Sequence, residues 1–273
     1  MIGVRAYLRL RRALTPARGF PFSAGRRLLR LVDAAALRLC PPEVRVRQHF
    51  NRWAKQGAGE RMERDHLYFT EQVLNAMSVS PADRVLDLGC GDGWACRLIA
   101  DRAGASCRMV GLDVSDEMVQ RAAALSRQFR NLTFVCGSAE RLPYADGSFT
   151  KVLSVSAFYY IQGQERALAE LFRVVAPGGR LFILTYNYKD RPEWRRMAHE
   201  LGVPVRVRSA AEYARLFEAA AWGEVRTQEL WREGREADEA GTHRRALLVS
   251  AQRPSAAPAV PAALEKAGPA SKR

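Results

Sequence analysis

The sequence offers little from which a membrane span, a disulfide scaffold or an acidic surface could be built. Its longest stretch without a charged residue is Val152–Gln164, 13 residues, whereas a spanning helix needs about 20 apolar ones. The five cysteines, Cys40, Cys90, Cys96, Cys107 and Cys136, contain no CxxC pair and are odd in number. A disulfide framework and a zinc site are therefore disfavoured, no metal is expected, and a reducing, cytoplasmic compartment is the default. The N-terminal apolar segments are broken by arginine every few residues, which argues against a secretion signal. What is present suits one large domain with extensions: 273 residues, 48% hydrophobic and 26% charged, values that fit neither disorder nor collagen nor a coiled coil.

Charge is unevenly spread. Of the formal +14, residues 1–48 carry +9, from eleven arginines against Asp33 and Glu43, and the rest carry +5. A basic lead of this kind suits an anionic partner, lipid or nucleic acid, or is an extension without function. Within it Gly25–Cys40 places Leu28, Val32, Ala35, Ala36 and Leu39 on one helical stripe, a pattern that fits either an interfacial helix on anionic lipid or a helix packed on the domain. The main domain, only mildly basic, is not expected to bind nucleic acid. Three zones follow: a basic extension, 1–48; a domain with leading lid helices, 49–253; and a Pro- and Ala-rich tail, 254–273, expected to be disordered.

Between the flanks, strand and helix patterns alternate. Helices are expected at Arg61–Met77 (Met62, Phe69, Val73, Ala76 and Met77 inward), Gly93–Arg102, Asp116–Phe129 (Met118, Ala122, Leu125 and Phe129 inward, capped by Ser115) and Gln164–Ala176. Ser209-x-x-Glu212 is a capping box for one more. Strands are expected at Arg84–Leu88, Arg108–Asp113, Leu132–Cys136, Thr150–Ser156, Arg180–Tyr186, Glu224–Leu230 and Arg244–Gln252. This alternation predicts an α/β fold, a doubly wound, Rossmann-like seven-stranded sheet that is mostly parallel, with an antiparallel final strand and helices on both faces.

Ligands in such sheets bind beyond the carboxyl ends of the strands. The first strand runs into Asp87-Leu88-Gly89-Cys90-Gly91-Asp92-Gly93, whose glycines allow a tight turn and close backbone approach. The spacing is GxGxG; the third glycine of a dinucleotide turn is replaced by Trp94, which disfavours a pyrophosphate cradle. Asp87 would repel a phosphate and suit an ammonium group. Asp113 ends the second strand 20 residues beyond Gly93, where a carboxylate can take both hydroxyls of a ribose. Gly137-Ser138-Ala139-Glu140 after the third strand is either a turn along an adenine edge or an ordinary loop.

The order VLDLGCGDG, VGLDVSDEMV, GSAERLPYADGSF and LFRVVAPGGRLFI resembles the class I S-adenosylmethionine-dependent methyltransferases, and within them the broad group of quinone C-methylases and small-molecule methylases. The resemblance runs from about Arg84 to Tyr186, and its motifs are specific for cofactor and much less so for acceptor. It implies S-adenosyl-L-methionine as cofactor, with Gly89, Gly91 and the backbone near Asp87 at its methionine part and Asp113 at the ribose. It further implies Val114 and Met118 on the adenine face, Ala139 and Glu140 near the adenine edge, and Ser154 and Ser156 beside the methionine or the transferring methyl. Trp94 departs from the pattern and either shields the sulfonium or packs against the leading helices.

The resemblance implies a methyl transfer, in line, to a small-molecule acceptor, the catalytic residues remaining unassigned. His66, Tyr159, Tyr160 and Tyr186 are the pocket candidates, and His49, Trp53 and Tyr68 lie in the leading helices. Each ring has core packing as its alternative role. Ser154-Val155-Ser156-Ala157-Phe158 lacks the Asn/Asp-Pro-Pro-aromatic turn of adenine methylases and the Pro-Cys nucleophile of cytosine methylases. Three other readings stay open: a membrane-associated acceptor such as a quinone or phospholipid, reached through residues 1–48 at the inner membrane face; an RNA-binding protein; and a non-catalytic protein that binds the cofactor.

Overall fold

A computed structural model describes residues 40–57, 59–232 and 245–255. The stripe at Gly25–Cys40 and the tail at 254–273 fall almost wholly outside these residues. In chain order the elements are α1 (Pro42–Lys55), α2 (Gly59–Met77), β1 (Arg84–Leu88), α3 (Trp94–Ala103), β2 (Arg108–Asp113), α4 (Asp116–Leu125), β3 (Leu132–Cys136) and β4 (Phe149–Val155). A 3₁₀ turn (Phe158–Tyr160) follows, then α5 (Gln164–Val174), β5 (Val175–Thr185), α6 (Trp194–Glu200), α7 (Ala210–Ala219), β6 (Gly223–Trp231) and β7 (Arg245–Gln252).

The seven strands form one sheet in the order β3-β2-β1-β4-β5-β7-β6. β1 pairs in parallel with β2 and with β4, β2 with β3, and β4 with β5. β7, the last strand, runs antiparallel between β5 and β6. This is the expected fold class. The side chains of successive strand residues point to opposite faces, and the core divides accordingly. Leu86, Val152 and Ile183 pack under α5 and α7 with Leu168, Leu171 and Phe217. Val85, Leu153 and Phe182 pack under α2 and α3 with Phe69, Val73 and Ile99. Each such fully buried aliphatic or aromatic side chain contributes about 1.5–3 kcal/mol, so the two layers together hold the sheet's carboxyl edge rigid.

Several local expectations are corrected. α4 stops at Leu125, which is 42% exposed, where an inward position was expected. Ser126 caps the helix end and is buried in its place. On α2 Ala76 is exposed and Leu74 buried. The helix expected over Gln164–Ala176 ends at Val174, and the strand expected from Arg180 begins at Val175, so Val175-Ala176-Pro177-Gly178-Gly179 opens β5. Val175 pairs with Phe149, the register shifts before Arg180 pairs with Lys151, and Gly178 takes φ +80°. Proline and the glycines are tolerated because this stretch is a bulge and not a regular ladder. α1 begins at Pro42, so the expected boundary at 48 falls inside a helix. None of the five cysteines forms a disulfide, and no described helix is long and apolar enough to cross a membrane.

Candidate functional site

The Gly89–Gly93 turn is positioned by β1 and held by β2. Gly89 and Cys90 donate backbone N–H groups to Leu112 O at 2.7 and 3.1 Å. Gly89 has φ +77°, and a Cβ there would lie 2.2 Å from that of Ala157. Only glycine lets the β1 turn and the β4 exit come so close. Asp113 Oδ2 accepts the Gly91 N–H at 2.9 Å and Oδ1 accepts the Ser115 N–H at 2.8 Å. Ser115 then caps α4 by accepting the Met118 N–H. One carboxylate thus ties the glycine turn to the start of the next helix.

Burial pushes the Asp113 carboxyl up, against its backbone hydrogen bonds, and pushes Asp87 up to about 7. For Asp87 the Cys96 thiol, which donates to it at 3.3 Å, works the other way and the Asp113 charge adds to the rise. No basic side chain among the described residues pairs with either group. Two buried carboxylates lacking a cation, beside a glycine turn, form a place that gains from a positively charged ligand.

A cavity of about 860 Å³ opens at this end of the sheet, within the range of small-molecule sites. Among the sequence-predicted cofactor residues, Gly89, Gly91, Asp113, Val114, Ala139, Glu140 and Ser156 line it. Asp87, Met118 and Ser154 do not. Asp87 sits behind the turn at 2% exposure, Met118 packs under the α4 N-terminus, and the Ser154 hydroxyl is spent on Leu88 O at 2.8 Å. Glu140 reaches the wall while accepting the Gly163 N–H at 2.8 Å. Trp94 both lines the cavity and packs with Phe69 and Val73.

All four pocket candidates, His66, Tyr159, Tyr160 and Tyr186, are on the wall. Tyr159 shares a 2.9 Å hydrogen bond with Ser156, whose φ of +54° is strained for a residue with a Cβ. Tyr186 donates to His66 O at 3.2 Å, and the two rings lie 4.5 Å apart. His66 Nδ1 is 2.7 Å from Met62 O, and burial brings its pKa down to about 4, so the ring is neutral near pH 7. The Tyr159 and Tyr160 phenols are pushed up by burial and stay protonated. His49 and Trp53 line the cavity from α1, as does Phe50. Phe158 and Tyr188 belong to the core, Tyr188 donating to Glu229, and Tyr68 is 37% exposed under Arg232.

Asn187, Met197 and Leu201 also line the cavity and carried no sequence signal. α6 is a short helix between β5 and α7 without a strong apolar period, and a single asparagine after a strand is common. A latch closes α1 over the site. Arg47 and Asn51 both donate to Asp116 Oδ1, and the Ser115 hydroxyl donates to Asn51 at 2.6 Å.

The sheet order, the glycine turn and the carboxylate at the tip of β2 are those of a class I S-adenosylmethionine-dependent methyltransferase domain, and residues 86–183 match the family model described as a methyltransferase domain. The chain carries that domain. It is 33% identical over 138 residues to norajmaline N-methyltransferase of Rauvolfia serpentina, covering 50% of this chain and 46% of the relative. It is 36% identical over 122 residues to demethylmenaquinone methyltransferase of Beutenbergia cavernae, covering 45% and 47%. The chain spans about half the length of the curated relatives it matches. Among solved structures it is similar to a chain from the complex between the Haloferax volcanii Trm112 methyltransferase activator and a methyltransferase. That match has TM-score 0.68 and 28% identity, over 75% of this chain and 97% of the other.

Proposed function

We propose that the protein transfers a methyl group from S-adenosylmethionine to a small-molecule acceptor. The observation that carries this reading is the continuity of one cavity, from Gly89, Gly91 and Asp113 at one end to Tyr159, Tyr160 and Tyr186 at the other. Gly89 and Gly91 would hold the methionine part and Asp113 the ribose, with Val114, Ala139 and Glu140 around the adenine. Met118 and Ser154 would support these groups from behind, and Asp87 would favour the cation electrostatically. Bound there, S-adenosylmethionine supplies an activated methyl on a positively charged sulfur. The chain's own task is to align the acceptor and keep water out, and alignment contributes roughly 7–11 kcal/mol in favourable cases. The tyrosines and His66, all uncharged near pH 7, shape a wall that excludes water. Where the acceptor must lose a proton, His49 and His66 are the bases on the cavity wall, since burial keeps the tyrosine phenols protonated.

Calorimetry tests the reading. S-adenosylmethionine should bind in the micromolar range, NAD should not, and Asp113→Ala should weaken binding by about 10- to 100-fold through loss of charge-assisted hydrogen bonds. Heat with NAD and none with S-adenosylmethionine would overturn it. A membrane-borne acceptor is the second reading, favoured by the +9 lead and by the likeness to a demethylmenaquinone methyltransferase. Liposome co-sedimentation of the full chain against a version starting at Pro42 separates the two.

A further inference from the structure

The wall beyond the cofactor end contains a buried amide that nothing in the protein uses. Asn187 follows β5 directly and is 2% exposed, yet it is one of the residues lining the cavity. Its backbone is anchored, the carbonyl accepting the Thr185 hydroxyl at 3.1 Å. Its side chain is not: neither Oδ1 nor Nδ2 has a hydrogen-bond partner among the described residues. Unpaired buried amides are costly and rare. One kept at the edge of a ligand cavity is available to a ligand. His49, on the same wall, also leaves its Nε2 without a partner, and burial and Arg52 hold the ring neutral.

The surroundings restrict what that partner is. The same cavity is lined by the buried Tyr159, Tyr160 and Tyr186 rings and by His66, half-buried and neutral. Charged lining residues such as Arg61, Arg64, Arg196 and Glu200 are exposed, while Glu193 and Asp65 are half-buried and Glu193 is held by Arg191 at 2.8 Å. A charged group placed among the rings would have little to offset its desolvation. Aromatic walls favour a flat body. A carboxamide offers an acceptor oxygen beside two N–H donors, so its complement is a donor beside an acceptor.

We propose that this half of the cavity is the acceptor subsite for an uncharged, flat molecule in which a carbonyl oxygen stands next to an N–H or O–H, the pair being read by the Asn187 carboxamide. Lactams have that pattern. The proposal rests on the methyltransferase reading, because it needs the cofactor to fill the other end.

The test uses the full chain saturated with S-adenosylhomocysteine, which fills the cofactor end without reacting. Three probes are titrated and followed by tryptophan fluorescence, since Trp53 and Trp94 line the cavity. They are 2-quinolinone, which has the donor–acceptor pair; N-methyl-2-quinolinone, which lacks the donor; and quinoline, which lacks both carbonyl and N–H. 2-Quinolinone should bind about tenfold or more tightly than either analogue, the discrimination expected when a buried polar group is left unpaired. Asn187→Leu should erase the preference. The idea is overturned by equal binding of the three, by no binding of any to the cofactor-loaded protein, or by a preference that survives in Asn187→Leu. Where the variant fails to fold, the wild-type probe series decides alone. Failure of the protein to hold S-adenosylhomocysteine at all would instead strike the methyltransferase reading itself.

Discussion

Replacing Asp87 by asparagine isolates the cost of holding a carboxylate behind the glycine turn. The side chain is 2% exposed, and burial, together with the Asp113 charge and against the Cys96 thiol, pushes its pKa up to about 7. In the unfolded chain an aspartate titrates near about 3.9. Between these values the native state keeps a proton that the unfolded state has lost. Stability therefore falls as pH rises from about 4 to about 7, and the full penalty applies above that. At about 1.4 kcal/mol per pH unit, the rise comes to about 4 kcal/mol. The asparagine amide would carry no charge at any pH. Urea unfolding of both proteins from about pH 4.5 to about pH 8 should show a gap that opens in favour of Asp87→Asn, approaching about 4 kcal/mol. Saturating S-adenosylmethionine should narrow it at the upper end, because a nearby cation favours the ionised wild type. A gap that stays flat across the range would refute the reasoning: Asp87 would then ionise as freely in the fold as outside it.

Three further outcomes follow from the geometry. Gly89→Ala should lose about 2–4 kcal/mol of stability, from overpacking and the left-handed backbone. A second change, Ala157→Gly, should restore part of that loss, because the clash is with the Ala157 Cβ; thermal melts of the single and double variants decide it. Asp83 resists acid, its pKa lowered to about 2. Burial alone would raise it, but Lys151 at 2.8 Å, the Ser80 N–H and the Thr150 and Ser80 hydroxyls outweigh that. Asp83→Asn should therefore cost about 2 kcal/mol at neutral pH, and the difference should vanish as pH falls from about 4 towards about 2, read by urea unfolding. Asn51→Ala should open the latch between α1 and α4 and speed release of bound S-adenosylmethionine by about 10-fold or more, the equivalent of the two hydrogen bonds that Asn51 makes. An unchanged rate by stopped-flow fluorescence would mean that α1 does not gate the site.

What could be read from the sequence depended on where information is local. The Ser115 cap and the Ser209–Glu212 capping box are set by near neighbours, and each is found where expected. The early start of β5 was not legible because the fate of Val175–Gly179 is settled by β4 and by Arg253, whose N–H bonds Gly179 O, contacts distant in sequence. Asp113, Gly89 and Gly91 were legible because strand ends bring them together in any sheet of this winding. Asp87, Met118 and Ser154 carried the same motif but lie behind the wall, since the choice of face is fixed by packing. Asn187 and the α6 residues gave no pattern. Their importance lies in unpaired atoms and a shared cavity, which only the assembled fold displays.

The placing of β7 has a consequence for how the molecule is born. It is the last of the described strands, and six consecutive buried residues of it, Ala246–Ala251, lie between β5 and β6. While a ribosome still covers that stretch, β5 keeps a bare apolar edge and β6 has no neighbour at all. The nascent protein must guard an unfinished sheet until β7 itself has emerged. Any shortening of the message ahead of Arg245 would leave that exposed edge as its permanent state.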